Sequence, residues 1–106
     1  MYIAMNRFKI IKGEEQAFED RWAQRDSSLS EVPGFVEFHL LRGPESDDHT
    51  LYVSHTVWAS EKSMEEWAQS EAFRKAHAQA GKGRQVYLGQ PNFEGFNAVL
   101  TVKGKE

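Results

Sequence analysis

The sequence predicts an α+β fold: an antiparallel sheet with its helices gathered on one face. Three observations predict it. Strand-like and helix-like stretches alternate in the order β-α-β-β-α-α-β, which is the ferredoxin-like plan. The second and third strands are joined by a connection short enough for a hairpin. The 106 residues, 40% hydrophobic and 27% charged, suit a single globular domain, residues 1–106.

Residues 2 to 11 are rich in β-branched and aromatic types and end at Gly13, which marks a first strand. A helix is expected over residues 14 to 30. Glu14 and Glu15 favour its N-terminus, and Phe18, Trp22, Arg25 and Leu29 recur at helical spacing. Pro33-Gly34 stops it, and a second strand runs from Phe35 to Arg42. Gly43 to His49 reads as a polar turn, and Leu51 to Trp58 as the third strand. Ser60 opens a helix carrying Met64 and Trp67. Ser70-Glu71 caps another from Ala72 to Ala80, with Phe73 and His77 one turn apart. Residues 84 to 91 read as an irregular loop, Phe93 to Val102 as the last strand, and the charged tail as frayed.

The composition excludes several functional classes. The net charge of −3 and the lack of a basic stripe argue against nucleic acid and anionic membrane as partners. With no cysteine there are no disulfides, zinc-thiolate sites or cysteine nucleophiles, which suits a reducing cytoplasm. The N-terminal residues do not form a signal peptide, and no apolar run approaches the ~20 residues of a membrane span. A cytoplasmic protein is expected.

The strands carry apolar residues on both faces. Phe8 and Ile10 oppose Ile3, Met5 and Ile11 in the first; Phe35 and Leu41 oppose Val36, Phe38 and Leu40 in the second. A sheet covered on one side alternates apolar with polar. The surplus face therefore predicts a homodimer packed sheet against sheet, a dimeric α+β barrel.

Among residues that could carry chemistry, His39 and His55 lie on adjacent strands and read as polar fillers, without a nearby carboxylate, or as paired metal ligands. His49 in the acidic turn reads as solvated. His77, behind Phe73 on an apolar helix face, reads as a core residue or as an axial ligand to haem iron. Asn6 sits mid-strand, where a buried carboxamide must find partners or cost about 1–3 kcal/mol. It reads as bonded to neighbouring backbone or as a donor aimed at a ligand. Trp67 is core by default, and a break near Ser70 would let it line one pocket with His77.

Taken together, these residues resemble the IsdG-like haem-degrading monooxygenases of the antibiotic biosynthesis monooxygenase superfamily, over nearly the whole chain. The resemblance runs through Asn6-Arg7-Phe8, Gly13, Arg21-Trp22 to Arg25 and Pro33-Gly34-Phe35. It continues through Thr56-Val57-Trp58-Ala59-Ser60, Trp67 and Phe73-Arg74-Lys75-Ala76-His77. It implies haem as both cofactor and substrate, with His77 on the iron, Asn6 bonded to the iron-bound oxygen and Trp67 bending the macrocycle. It further implies haem contacts from Trp22, Met64 and Phe73, and propionate contacts from Arg21 and Arg25, which stand four apart on the first helix. Met64 stands where some relatives carry an aromatic residue. The implied reaction uses O2 and an external reductant. No nucleotide-binding motif is present, so a separate electron-donor reductase or a small reductant is expected. The competing readings are a cofactor-independent quinol or polyketide monooxygenase and a non-enzymatic haem carrier.

Overall fold

A computed structural model describes residues 1–24, 29–71, 73–74 and 85–105. Its elements are β1 (Tyr2–Ile11), α1 (Glu15–Ala23), a 3-10 turn (Leu29–Glu31), β2 (Phe35–Glu45), β3 (His49–Trp58), α2 (Glu61–Ala68) and β4 (Tyr87–Asn97). The four strands form one sheet in the order β2-β3-β1-β4, every neighbouring pair antiparallel. This is the α+β, ferredoxin-like plan predicted from the element order.

Both helices pack on the same side, over two separate apolar clusters. Ile10, Phe18, Tyr52 and Val86 form the cluster under α1, with Phe8, Trp22 and Leu40 against it. Tyr2, Ala4 and Trp58 form the other, with Leu29, Val32, Met64 and Trp67 against it. Even-numbered residues of β1 and β3 thus face the helices, and odd-numbered ones face away. The β1 reading holds: Ile10 is core, whereas Ile3 and Met5 lie on the far side.

The reading of β2 is corrected. Phe35 pairs with Trp58 and Glu37 with the adjacent Val57, so Val36 is an extra residue in a bulge. Beyond it the face assignment shifts by one. Phe35, Phe38 and Leu40 all turn toward the helices, while Val36 and Leu41 stay exposed at 57% and 43%. Alternation counted straight through the strand cannot see the bulge.

Three boundaries also differ. α1 ends at Ala23, and Leu29 begins the separate 3-10 turn. Leu29 and Val32 are held by the α2-side cluster rather than by the α1 side. The hairpin strands extend to Glu45 and from His49, shortening the expected turn. β4 occupies 87–97 rather than 93–102. Its start is irregular because Gly89, Gln90 and Pro91 lie where the register jumps from Lys9↔Leu88 to Arg7↔Asn92. Proline, lacking an N–H, is tolerated at such an edge bulge. Its end is set by its partner: the register closes at Tyr2↔Asn97, with one further bond from Ala98 N–H to the Met1 carbonyl at 2.9 Å.

Gly34 fixes where the chain enters β2. Its φ is +85°, and a Cβ there would lie 2.3 Å from Ser63 Oγ, so α2 could not seat against any larger residue. The Ala59 N–H donates to the Gly34 carbonyl at 2.7 Å, tying the start of β2 to the start of α2.

Candidate functional site

Asn6 lies between the two clusters. Its β1 neighbours on the helix side are Ala4, in the α2-side core, and Phe8, packed against the α1-side core. Across the sheet it pairs with Ser54 of β3 and Phe93 of β4. Asn6 is half-buried, and Phe93 is 53% exposed although it shares the helix-facing side. The middle of the sheet is thus floored by a carboxamide and an aromatic ring that neither cluster covers.

Aromatic side chains wall this gap. On the α1 side, Trp22 stacks on Phe38 with centroids 5.3 Å apart and meets Phe8 edge-on at 6.2 Å. On the α2 side, Trp67 lies 5.4 Å from Trp58 and 4.9 Å from Phe73, the latter edge-to-face. The break between α2 and the next helical turn follows from Ser70. Its hydroxyl donates to the Trp67 carbonyl at 2.5 Å and accepts from the Phe73 N–H at 3.2 Å. Ser70 therefore ends one helix and caps the next, as Ser70-Glu71 predicted, and the chain turns so that Phe73 comes back onto Trp67.

Of the sequence-predicted residues, Trp67, Met64 and Phe73 come together on the α2 side and Trp22 on the α1 side, with Asn6 between. Arg21 occupies the last turn of α1 and is half-buried. Arg25 and His77 lie outside the described residues. Phe93, Phe38 and Ser54 were missed as floor and wall; pairing the last strand against β1 from the sequence would have placed Phe93 beside Asn6.

The other histidines are on the far side of the sheet. His39 and His55 pair across β2 and β3 with rings 5.9 Å apart. Contrary to the expectation of no carboxylate, His39 Nε2 lies 3.3 Å from Glu37. Among the described residues no group of three metal-ligating side chains occurs. His49 is not simply solvated: its side chain is 17% exposed and its Nδ1 lies 2.7 Å from Asp48, a contact that lowers the Asp48 pKa. A shallow cavity of about 440 Å3 also lies on that side, among Arg7, Lys9, His49, Leu51 and Leu88. It shares nothing with the aromatic gap over Asn6.

A polar tether secures α1 at the opposite end from Asn6. Tyr52, 1% exposed, donates to Glu19, and burial followed by that carboxylate pushes its pKa up to about 12. Thr50 donates to Glu15 at 2.7 Å, the main cause of a lowered Glu15 pKa.

Comparison with known proteins matches this architecture. The chain is 30% identical over 102 residues to a haem oxygenase (mycobilin-producing) of Mycobacterium tuberculosis, spanning 96% of this chain and 92% of that one. It is 31% identical over 94 residues to a haem-degrading monooxygenase of Listeria monocytogenes, spanning 80% of this chain and 76% of that one. Its backbone superposes on the haem-degrader MhuD of M. tuberculosis, solved with two haems in its active site. The TM-score is 0.72 at 28% identity, covering 97% of this chain and all of that one. The family model for antibiotic biosynthesis monooxygenases matches residues 1–79, and the chain belongs to that monooxygenase family.

Proposed function

We propose that this protein is a haem-degrading monooxygenase that binds haem over Asn6 and opens its macrocycle with O2 and externally supplied electrons. The observation that carries the reading is the half-buried Asn6 amide between two aromatic walls, on a sheet face otherwise filled by apolar cores. The residues present fit a flat, largely apolar macrocycle. Trp22, Trp67, Phe73 and Phe93 supply ring surfaces, and the Asn6 amide stands at the centre of the floor beside its cross-strand partner Ser54. The relatives' haem-degrading activities and the haem-bound neighbour support the same substrate.

Haem, when bound, supplies the iron that activates dioxygen against its own ring. The protein's part is positional. His77, which follows Phe73 by four residues, is the proposed iron ligand through a neutral imidazole. The Asn6 amide would offer its N–H as a hydrogen-bond donor to the dioxygen substrate above the floor. Trp67, backed by Trp58 and held edge-on by Phe73, would be the side chain that presses on a bound macrocycle. Arg21 and Arg25 are the proposed propionate partners. The sequence contains no nucleotide-binding motif, so a separate reductase or small reductant supplies electrons.

The working form in this reading is a homodimer. The helix-free face carries Ile3, Met5, Val57 and the exposed Val36, Leu41 and Phe96, and His55 Nδ1 is buried there without a hydrogen-bond partner among the described residues. A second copy would cover that apolar surface.

Haem titration of the purified chain tests the function. A Soret band should form, then bleach on adding reductant in air as iron becomes chelatable. His77→Ala should lose the wild-type Soret position with its fold intact by circular dichroism. Absence of haem binding, with oxidation of a quinol instead, would establish the cofactor-independent alternative. A stable Soret band under reductant and air would leave a carrier.

A further inference from the structure

We propose that Ser54 is a specificity-determining residue of the reaction: its hydroxyl stands beside the Asn6 amide on one flank only and sets toward which edge of the macrocycle the dioxygen substrate leans. This rests on the haem-degrading reading above. The helix-facing positions of β3 before Trp58 are Thr50, Tyr52, Ser54 and Thr56, a row of hydroxyls. Three of them serve the fold. Thr50 donates to Glu15, Tyr52 to Glu19, and Thr56 to the Ala4 carbonyl at 3.1 Å. Ser54 is 7% exposed, and its hydroxyl has no partner among the described residues. A buried hydroxyl left unpaired weakens the folded state, so alanine would suit the sheet better at this position. Of the four, Ser54 is the one that lies across from Asn6, under the aromatic gap.

The row across the middle of the sheet reads Leu40, Ser54, Asn6 and Phe93, from β2 through β3 and β1 to β4. Cross-strand neighbours stand about 5 Å apart at Cβ, so the Ser54 hydroxyl and the Asn6 amide can reach one small acceptor together. The Asn6 carboxamide likewise has no side-chain hydrogen bond among the described residues. On its other flank Phe93 offers a ring and no donor. The floor is therefore lopsided, with two donors toward β3 and hydrocarbon toward β4. Dioxygen accepts hydrogen bonds and gains negative charge as electrons arrive, and donors act most strongly on a centre that develops charge. It is drawn to the β3 flank, over whichever carbon bridge lies there. Ser54 gives a hydrogen bond and exchanges neither atoms nor electrons, so it leaves the stoichiometry alone and sets the position of ring opening.

The haem complexes of the wild type, Ser54→Ala and Ser54→Thr test the proposal by two readouts. Fluoride, a small anion that takes the open position on ferric iron and accepts hydrogen bonds, probes the floor without turnover. Its affinity should fall several-fold in Ser54→Ala and recover in Ser54→Thr. The ratio of ring-opened isomers, separated after one turnover, should be biased in the wild type. It should move roughly fivefold toward the disfavoured isomer in Ser54→Ala and return in Ser54→Thr. The melting temperature of haem-free Ser54→Ala should not fall, because the hydroxyl bonds nothing in the fold. A marked fall makes Ser54 structural and overturns the proposal. An unbiased wild type, or an isomer ratio that Ser54→Ala leaves unchanged, overturns it too. A moved ratio with unchanged fluoride affinity assigns the effect to packing and overturns the hydrogen bond. A wild type that forms no Soret band overturns the haem reading itself, and this proposal with it.

Discussion

Trp67 and Phe73 meet edge-to-face, 4.9 Å between centroids, across a single serine that ends one helix and begins another. A continuous helix would carry Phe73 six residues and about 9 Å further along its axis, away from Trp67. The hydroxyl of Ser70 thus decides whether the α2-side wall has one ring or two.

Ser70→Ala should remove that device. The lost cap costs about 1 kcal/mol, a fall of roughly 4 °C or more in melting temperature for a domain of this size. The characteristic effect is a several-fold weaker haem affinity, measured by Soret titration. Ser70→Thr should largely restore it. A variant that loses stability but binds haem normally would show that the Trp67–Phe73 contact has no part in the pocket.

Asn6→Ala should bind haem and degrade it poorly. Removing one donor to a centre that develops charge lowers rates by about a hundredfold or more. Stopped-flow bleaching of the preformed complex separates this from binding. A wild-type rate would return Asn6 to a structural role.

Alkaline pH should loosen the α1 end of the molecule. The folded Tyr52 pKa of about 12 exceeds the ordinary value of 10, so the folded state holds the phenolic proton more tightly. Its stabilisation is complete below pH 10 and is lost as pH rises toward 12, on the order of 2 kcal/mol by then. Tyr52→Phe should abolish that alkaline sensitivity in denaturant melts while lowering stability at neutral pH by about 1 kcal/mol, the worth of its bond to Glu19.

Acid acts on the neighbouring tether in the opposite sense. Bonding from Thr50 lowers the Glu15 pKa below its usual value, so its contribution is present above pH 4.5 and disappears as pH falls through the folded pKa. In Thr50→Val, NMR titration should find the Glu15 carboxyl moved back toward the ordinary carboxylate range. An unchanged titration would assign the shift to the backbone N–H groups of Glu15 and Gly13 instead.

The element order, the one-sided helices and the Ser70 cap were legible because each depends on local chemistry: periodicity, turn residues, a hydroxyl before a helical turn. Asn6 was singled out by its mid-strand position alone; the aromatic walls around it depend on contacts between distant elements, such as Trp22 on Phe38, that local signals do not announce. Features set by partners were not legible. The end of β4 is decided by where β1 stops, which Phe96-Asn97-Ala98-Val99 does not announce. The floor position of Phe93 depends on an antiparallel register, and the short α1 on Leu29 being claimed by the other cluster.

Val36 gives the sheet a spare residue. It pairs with nothing on β3, and its side chain is mostly in solvent. Deleting it would leave Phe35, Glu37 and Phe38 in plain alternation, with the helix-facing rings still against Trp58 and Trp22. Deleting Leu40, four positions later, would throw every residue beyond it onto the wrong face. One strand therefore contains both a position where the chain can shorten freely and, a single turn of pleat away, positions where it cannot. Sequence length in this domain is expected to drift at residue 36 and hold constant from Glu37 to Arg42, where the register with β3 is unbroken.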